Sequence, residues 1–556
     1  MYNILLGGAA GQGVDTTAAN LEKLLKRAGY YVFTVRDFMS RVRGGHNFSI
    51  IRFGNEPIYS HSSRLDGMIA LDDDTVTLHK NKLSKDGFIL CDTKLKTEEE
   101  KVIKLDMAGI AKELGNPKVS GSIAIGAVLK LFGISLDHVG ETMKHLVKEA
   151  YLEINIKAVH IGYESVENRI QVPEGRCSNL LMLSGSKAVG LGAIAAGLKF
   201  YSAYPMSPST AVMEFLASKG VEAGIVVEQA EDEIAGINMA IGASFAGARA
   251  MTGTSGGGFC LKVEALGLSG IAEIPLVVID VQRPGPATGL PTRTEQSDLK
   301  FVISAAQGEF PRMVIALRNH TDAFYQTIRA FDLAERYQIP VILLSDQYLG
   351  DSTATVEPYD LNGIHVATPC QEEYKEGEYL RYKITEDGIS PRLLPGKTKN
   401  FVAADSDEHD ERGWIIESSE ERIQMMDKRM RKINKLVKEL QEPEFIGDES
   451  FETLLVGWGS TYGPIREAVQ ILNEKEPGKY AALLFGDVFP LPKKLLIEKS
   501  SKAKRMIHIE QNATGQLAGL IREETGLAFD HSILKYDGRQ ISGEEIVERL
   551  QKGGVN

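Results

Sequence analysis

Five short apolar runs in the middle of the chain constrain its fold more than any other feature. Stretches of helical length separate them, and they read GIVVE, ARAMTGTS, IPLVVIDVQ, PRMVIAL and IPVILLSD. Strands that are buried on both faces are continuously apolar in this way, as in parallel sheets covered by helices. Residues 181–365 are therefore predicted to form an α/β domain around a parallel sheet.

The flanking segments also alternate strands and helices, so the 556-residue chain is predicted to be a multidomain α/β protein. A strand, a glycine turn and a helix open a first domain over residues 1–168, and a polar linker is expected over 169–180. Residues 366–445 are charged and punctuated by proline, which indicates a connecting segment. Alternation of strands and helices resumes over 446–556.

The net charge and the cysteine spacing exclude several classes of function. A formal net charge of −12 argues against nucleic acid or an anionic membrane as the main partner. No apolar run reaches membrane-spanning length and no signal peptide is evident, so the cytoplasm is the expected location. No CxxC pair occurs, which argues against an iron–sulfur or structural zinc site among Cys91, Cys177, Cys260 and Cys370.

Polar residues follow several strands of the predicted central sheet, where open parallel sheets bind ligands. After FYSAYP, the run Ser207-Pro208-Ser209 is expected to cap a helix whose free N–H groups suit an anion. The strand IPLVVIDVQ ends at Arg283, whose planar guanidinium suits a carboxylate held by two hydrogen bonds. A small carboxylate-bearing ligand is the first hypothesis, and an ordinary capped helix beside a surface arginine is the alternative.

An acidic trio begins the helix predicted after GIVVE. Glu233 is expected to face the interior of the protein, because a 3.6-residue helix places it on a small and apolar face. That face also carries Ile237, Ala240, Ile241 and Ser244. A poorly solvated carboxyl group suits proton exchange. Glu231 and Asp232 are expected to interact with the helix dipole, and capping by the whole trio is the alternative.

Long motifs of the chain closely resemble the α subunit of 2-oxoacid:ferredoxin oxidoreductases. They are YPMSPST, EQAEDEIAGINMAIGASFAGARAMTGTSGGGF, DVQRPGPATGLPTRTEQSDL and YKITEDGISPR. The opening GGAAGQGVDTTAANL is similar to the family's γ subunit, and IHIEQNATGQLAGLIR resembles its transketolase C-terminal domain. The resemblance implies a fused γ–α subunit, with a γ-like domain, a thiamine diphosphate pyrimidine-binding domain over 181–365 and a transketolase C-terminal-like domain.

This resemblance implies a reaction and its cofactors. The family oxidatively decarboxylates a 2-oxoacid to an acyl-CoA and CO2, or runs the reverse reaction, with thiamine diphosphate, coenzyme A and ferredoxin. 2-Oxoglutarate is the expected substrate, while pyruvate, branched-chain and aryl 2-oxoacids remain alternatives. A non-catalytic scaffold subunit is the alternative from another functional class, and a dinucleotide dehydrogenase is the least favoured.

The resemblance also assigns roles to individual residues. Glu233 matches the glutamate that bonds ring nitrogen N1′ of thiamine diphosphate, and Glu231 is the alternative if the register is shifted by two residues. Ser207, Arg283 and Thr292 match positions that contact the substrate. Further cofactor contacts are expected from Tyr204, Pro205 and Thr254.

Half of the expected site is missing from this chain. We find no GDG motif followed by an asparagine, the pattern that holds the diphosphate and Mg2+ in this superfamily. The resemblance therefore implies a separate β subunit that brings the diphosphate site, Mg2+ and a [4Fe-4S] cluster, in a dimer of heterodimers that passes electrons to ferredoxin. The isolated chain is expected to be inactive.

The first domain carries a glycine turn between its opening strand and helix, as phosphate-binding turns do. Gly8, Gly11 and Gly13 follow the order G-x-x-G-x-G, so NAD binding through G-x-G-x-x-G is not expected. The resemblance implies that this domain helps to enclose coenzyme A, with SRVRGGHN near the catalytic interface. A packing domain with a tight turn is the alternative.

The sequence predicts that a histidine and a helix of the connecting segment are exposed or lie at an interface. His409 lies among acidic residues, and a solvated acidic loop is favoured over a metal site. The helix predicted over 422–439 alternates in charge and is expected at a surface or an interface.

Overall fold

The computed structural model describes two compact units of the chain. It describes residues 1–39, 45–368, 370–371, 374 and 377–552. The first unit comprises Met1–Ser184, Asp351–Tyr359 and Ser542–Glu545, and the second comprises Gly185–Gly350, Asp360–Ile541 and Ile546–Asn556.

A mixed eight-stranded sheet forms the first unit. Its central strand pairs in parallel with Leu65–Ala70 and antiparallel with His46–Gly54. In spatial order the strands are Val102–Leu105, Leu83–Asp92, Leu65–Ala70, Tyr2–Ala9, His46–Gly54, Tyr31–Asp37, Thr353–Val356 and Leu181–Ser184. The α-helices are Val14–Arg27, Asp73–His79, Met107–Glu113, Ser120–Leu131, Val139–Lys144 and Leu152–Glu164.

Two strands of this sheet come from outside the first 168 residues. Leu181–Ser184 and Thr353–Val356 pair with each other, and the latter also pairs with Tyr31–Asp37. The expected central domain of 181–365 therefore differs from the structure at both ends, because pairing between distant segments leaves no local pattern. The expected linker lies along the first unit, where the Cys177 N–H donates to the Gly29 carbonyl at 2.8 Å.

The second unit contains the predicted parallel sheet. All five apolar runs form strands, and six parallel strands are joined by one antiparallel edge strand. In spatial order they are Asp487–Phe489, Met313–Ala316, Pro340–Asp346, Leu276–Gln282, Ala250–Thr254, Phe200–Ala203 and Val226–Gln229. The helices are Gly185–Ala195, Thr210–Ala223, Glu233–Phe245, Gly256–Phe259, Val263–Ile271, Leu299–Ser304, His320–Tyr337 and Gln347–Asp351.

A five-stranded sheet near the C-terminus shares a core with this central sheet. Leu299 and Val302 pack in one buried cluster with Val456 and Leu517. The strands are, in spatial order, Glu444–Gly447, Tyr480–Phe485, Thr453–Trp458, Arg505–Glu510 and His531–Leu534. The helices are Tyr462–Lys475, Lys494–Lys502, Gln516–Thr525 and Gly543–Gln551. The predicted multidomain α/β class is confirmed.

The connecting segment packs against the central domain through buried charge. The expectation of a surface helix is wrong for Lys428, Arg429 and Lys432, which are at most 2% exposed. Lys428 and Arg429 lie on the helix Ser419–Arg431, and Lys432 lies between this helix and the helix Ile433–Leu436. The same segment contains two short paired strands, Cys370–Gln371 and Arg392–Leu393.

Glu273 receives this buried positive charge. Its two carboxylate oxygens lie 2.5 Å from Lys428 Nζ and 2.5 Å from Lys432 Nζ. Burial alone raises the pKa of Glu273, but Lys428, Lys432 and Arg381 together hold it well below its ordinary value. Ion pairs between residues far apart in the sequence therefore hold the connecting segment against the central domain. The alternation of charge along one helix could not predict these pairs.

His409 is also buried, so the expected solvated loop is wrong. It is fully buried, its ring lies 4.0 Å from that of Tyr382, and its Nδ1 lies 3.0 Å from the Asp407 carbonyl oxygen. Burial lowers its pKa. Within the described residues, no group of three or more histidine, cysteine or acidic side chains is arranged to hold a metal ion.

The cysteines and the apolar helices were also compared with the expectations from the sequence. The four cysteines are unpaired. Among the helices that the structure describes, none combines the length and apolarity that a bilayer crossing requires.

We expect Glu273→Gln to lower the free energy of unfolding by about 3–5 kcal/mol, because it leaves buried cations without a counter-charge. Chemical denaturation of the purified chain measures this change. Glu222→Gln is the matched control, since Glu222 pairs with Lys219 on the surface, and such changes stay within about 0.5 kcal/mol. Equal stability of the two variants would contradict the role of Glu273.

Candidate active site

Three neighbouring strands of the central sheet end at one edge with polar residues. Phe200–Ala203, Ala250–Thr254 and Leu276–Gln282 are parallel, so their carboxyl ends lie side by side. The chain then continues into Tyr204, Ser255 and Arg283 respectively. This is the edge at which α/β sheets bind ligands.

The helix Glu233–Phe245 delivers one carboxylate to this edge. Asp232 caps it, with Oδ1 accepting the Ala235 N–H at 2.8 Å, which agrees with the expected capping role. Glu233 is 4% exposed, while Glu231 and Asp232 are exposed. The predicted buried face is observed, and the alternative acid, Glu231, faces solvent.

One oxygen of Glu233 is buried without a protein partner. Glu233 Oε1 has no hydrogen-bond partner among the residues that the structure describes. A Cβ at position 258 would lie 2.6 Å from this oxygen and 2.2 Å from Thr254 Oγ1, so only glycine leaves room there. Because buried polar atoms are nearly always bonded, a partner is expected from outside this chain.

Ser207 does not cap the following helix, so that expectation is wrong. The helix is Thr210–Ala223, and Ser209 Oγ donates to the Met206 carbonyl at 2.7 Å instead of capping it. Pro208 lies in the turn formed by residues 207–209, just before the helix. Ser207 is exposed, and its carbonyl oxygen accepts a hydrogen bond of 2.5 Å from Arg283 Nη1.

The structure brings four of the expected site residues together. Arg283 contacts Ser207, and Thr254 Oγ1 lies 3.8 Å from the sulfur of Met206 in the same turn. Thr254 and Glu233 both border the α-carbon of Gly258. Of the other three residues expected at this edge, Tyr204 is 40% exposed, and Pro205 and Thr292 are partly buried.

Lys262 is a buried neighbour that the sequence analysis missed. It is fully buried, and its Nζ donates to the Glu233 carbonyl at 3.1 Å and to Thr252 Oγ1 at 3.0 Å. Burial lowers its pKa to about 8, while Glu233 and Asp232 act in the opposite direction. In the sequence, its burial could have been inferred from its place as the one basic residue in the largely apolar run GFCLKVEALGL.

Two further carboxyl groups lie beside the site. Neither carboxylate oxygen of the fully buried Asp280 has a partner in the described part of the chain. Burial and then Asp298 raise the pKa of Asp280 well above its ordinary value, which favours its neutral form. Burial also raises the pKa of Asp298 to about 6, opposed by Arg283. In the sequence, the burial of Asp280 could have been inferred from its place within the apolar strand LVVIDVQ.

The glycine turn of the first unit has an open backbone. Gly11 and Gly13 have φ angles of 93° and 82°, which favour glycine, and Gly13 immediately precedes the helix Val14–Arg27. Gly8 packs closely, since a Cβ there would lie 2.6 Å from Gln12 Oε1. Of the SRVRGGHN motif, residues 40–44 lie outside the described residues.

Family models account for most of the chain. Residues 191–428 match pyruvate flavodoxin/ferredoxin oxidoreductase, thiamine diphosphate-binding. Residues 3–165 match pyruvate ferredoxin/flavodoxin oxidoreductase. The chain therefore contains a thiamine diphosphate-binding domain of this family after a γ-like domain.

Two relatives and one solved structure match most of the chain. A 2-oxoacid:ferredoxin oxidoreductase subunit alpha from Sulfolobus sp is 33% identical, over 99% of this chain and 96% of its own. The 2-oxoglutarate oxidoreductase subunit KorA of Mycobacterium tuberculosis is 31% identical, over 87% and 77%. A solved 2-oxoglutarate:ferredoxin oxidoreductase from Magnetococcus marinus, with 2-oxoglutarate, coenzyme A and succinyl-CoA bound, superposes with a TM-score of 0.93 at 32% identity, covering 99% of both chains. This chain belongs to the family of 2-oxoacid:ferredoxin oxidoreductase α subunits, in the fused γ–α form.

Proposed function

We propose that this chain supplies the pyrimidine half of a thiamine diphosphate site in a 2-oxoglutarate:ferredoxin oxidoreductase. The observation that carries the proposal is the buried, unpartnered Oε1 of Glu233 beside Thr254 and the bare α-carbon of Gly258. The Mycobacterium tuberculosis relative and the solved structure from Magnetococcus marinus are both named for 2-oxoglutarate, which supports this substrate.

The residues present fit the cofactor's aminopyrimidine ring. Glu233 Oε1 is proposed to share a proton with a ring nitrogen in the space next to this oxygen, while Gly258 packs so closely against Glu233 and Thr254 that a Cβ would not fit there. Thr254 is proposed to line this space, with Tyr204 and Pro205 at its exposed rim. Thiamine diphosphate, when bound, supplies an electron sink for the carbon–carbon bond cleavage of a 2-oxoacid.

The substrate's carboxylate is proposed to bind at Arg283. Its guanidinium is partly buried and already bonds the turn that carries Ser207, so its direction is set before the substrate arrives. The Ser207 hydroxyl and Thr292 are proposed as further polar contacts. Preorganised donors of this kind lose little freedom on binding.

A β subunit is proposed to cover this edge of the chain. Large apolar side chains are exposed on and around the helix that begins at Glu233 and on neighbouring loops: Tyr204, Ile234, Met239, Leu261 and Leu290. Surface patches of this kind mark contacts with a partner. We propose that the β subunit brings the diphosphate site, Mg2+ and a [4Fe-4S] cluster, that ferredoxin reacts with the complex, and that two heterodimers associate.

Coenzyme A is proposed to contact the first unit. The open backbone at Gly11 and Gly13 precedes a helix N-terminus, a combination that suits a phosphate group. Gly8 packs against the side of this turn, so its proposed role is to let the turn close. The cytoplasm is the proposed location of the complex.

We expect Glu233→Gln to lower the kcat of the complex by about 100- to 10,000-fold, because the amide cannot exchange a proton at the ring nitrogen. Dye reduction dependent on 2-oxoglutarate measures this rate. Glu231→Gln is the matched control and should keep at least half of the activity. Full turnover in Glu233→Gln would favour the scaffold alternative.

The purified complex should reduce a viologen dye with 2-oxoglutarate at a higher kcat/KM than with pyruvate, branched-chain or aryl 2-oxoacids. The isolated chain, given thiamine diphosphate, Mg2+ and coenzyme A, should show no activity with any of them. Steady-state kinetics on both preparations tests this. A strong preference for pyruvate would contradict the substrate assignment, and activity of the single chain would contradict the shared site.

We expect Arg283→Met to lower kcat/KM for 2-oxoglutarate by at least about 100-fold, because each lost bond between charged groups contributes about 1.5–3 kcal/mol. Arg293→Met, in the same loop, is the control and should have a smaller effect. Equal losses of kcat/KM in the two variants would contradict the proposal that Arg283 binds the substrate carboxylate.

A further inference from the structure

Residues 283–298, here called the substrate loop, carry both Arg283 and Thr292 on a long excursion from the central sheet. Its own backbone bonds are few, with Leu290 N–H donating to the Pro284 carbonyl at 3.0 Å and Arg293 N–H donating to the Leu290 carbonyl at 3.1 Å. Residues 285–290 are exposed. Such a segment needs outside support to hold one conformation.

The central domain bonds the loop near its base. Gln282 Oε1 accepts the Asp298 N–H at 3.0 Å, and Gln282 Nε2 donates to the Ser345 carbonyl at 3.0 Å. The Tyr348 N–H donates to Thr294 Oγ1 at 3.2 Å.

The C-terminal five-stranded sheet bonds the loop through Gln296. Its N–H donates to the Gln511 carbonyl at 2.7 Å, and its Oε1 accepts the Gln511 N–H at 3.2 Å. Asn512 Nδ2 donates to the Gln296 carbonyl at 3.0 Å, and Gln296 Nε2 donates to the Trp458 carbonyl at 2.8 Å. Gln296 is 1% exposed, so all four bonds are shielded from water.

A second pair of bonds follows immediately in the chain. Gln516 Nε2 donates to the Ser297 carbonyl at 2.6 Å, and Gln516 Oε1 accepts the Lys300 N–H at 2.9 Å. Gln296, Gln511, Asn512 and Gln516 together are called the loop clamp below. The C-terminal part of the substrate loop, residues 294–298, is therefore bonded both to the central domain and to the C-terminal sheet.

The clamp is itself rigid before any ligand binds. Asn512 Oδ1 accepts the Gly515 N–H at 2.7 Å, and Asn512 Nδ2 also donates to the buried Glu510. Glu510 in turn accepts the Leu517 and Ala518 N–H groups, each at 3.0 Å. A loop supported by such a network loses less freedom when it binds a ligand.

We infer that the loop clamp makes the C-terminal sheet a positioning element for the substrate-binding arginine, with Gln296 as its central positioning residue. The inference rests on the proposed function, because Arg283 is proposed there to bind the 2-oxoacid carboxylate. A role confined to domain stability is the competing explanation. The two differ in what they do to KM and to the motion of the loop.

The test uses Gln296→Met and Gln516→Met in the complex of this chain with its partner subunit. Methionine keeps the length of glutamine and removes the hydrogen bonds of its side chain, while the backbone bonds of residue 296 remain. We expect KM for 2-oxoglutarate to rise about tenfold, which corresponds to about 1.4 kcal/mol, while kcat changes by less than about threefold. Hydrogen exchange of the amides at 285–293 should accelerate by about tenfold in the same variants.

Gln326→Met is the matched control. Gln326 is also a buried glutamine, but its Nε2 donates to Gln441 Oε1 at 2.6 Å rather than to the loop. It should leave both KM and loop exchange within about twofold of the parent complex. If Gln296→Met does not fold, Gln516→Met carries the test.

Unchanged loop exchange in both clamp variants would overturn the inference, and so would faster exchange with an unchanged KM. Equal effects in Gln326→Met would reduce the clamp to general stability and overturn it as well. Should the parent complex turn over no 2-oxoacid, the proposed function fails on that measurement. The exchange data then decide separately whether the clamp holds the loop.

Discussion

The carboxylate of Glu233 is the constraint on which the rest of the site depends. Leaving a buried polar atom without a partner costs about 1–3 kcal/mol, and Glu233 Oε1 is such an atom among the described residues. The helix N-terminus, the Asp232 cap and the Lys262 bond to the Glu233 backbone hold it in place. This unmet hydrogen bond supports the proposed contact of Glu233 with a ligand.

The second unit supports this edge through polar contacts between distant segments. Lys262 secures the first turn of the helix that begins at Glu233, and the ion cluster around Glu273 fastens the connecting segment to the central domain. The loop clamp joins the C-terminal sheet to the loop that carries Arg283. Each contact is buried, where hydrogen bonds and charges act in a low dielectric. These contacts lie away from the proposed site and join it to the segments packed around it.

Local patterns predicted much of this arrangement. Continuous apolar runs identified five of the seven strands of the central sheet, and helical periodicity placed Glu233 on the buried face. Polar residues at the ends of predicted strands indicated Ser207 and Arg283, and the resemblance to the family added Thr254. The prediction that Ser207 caps the helix was wrong, because residues 207–209 form a turn and the helix begins at Thr210. A proline between two serines is compatible with either a turn or a helix cap, so the sequence could not separate the two.

The sequence by itself determined the fold class, the family and the choice of Glu233, since each depends on residues close together in the chain. Only the tertiary structure decided the fate of isolated polar residues. Lys262, Asp280, Lys428 and His409 look like surface or incidental groups in the sequence, yet all four are buried. Their burial depends on segments that approach from distant parts of the chain, and no local periodicity records which segments meet. The same reason explains why the strand Thr353–Val356 joined the first sheet and why Gln296 found its partners at Gln511 and Asn512.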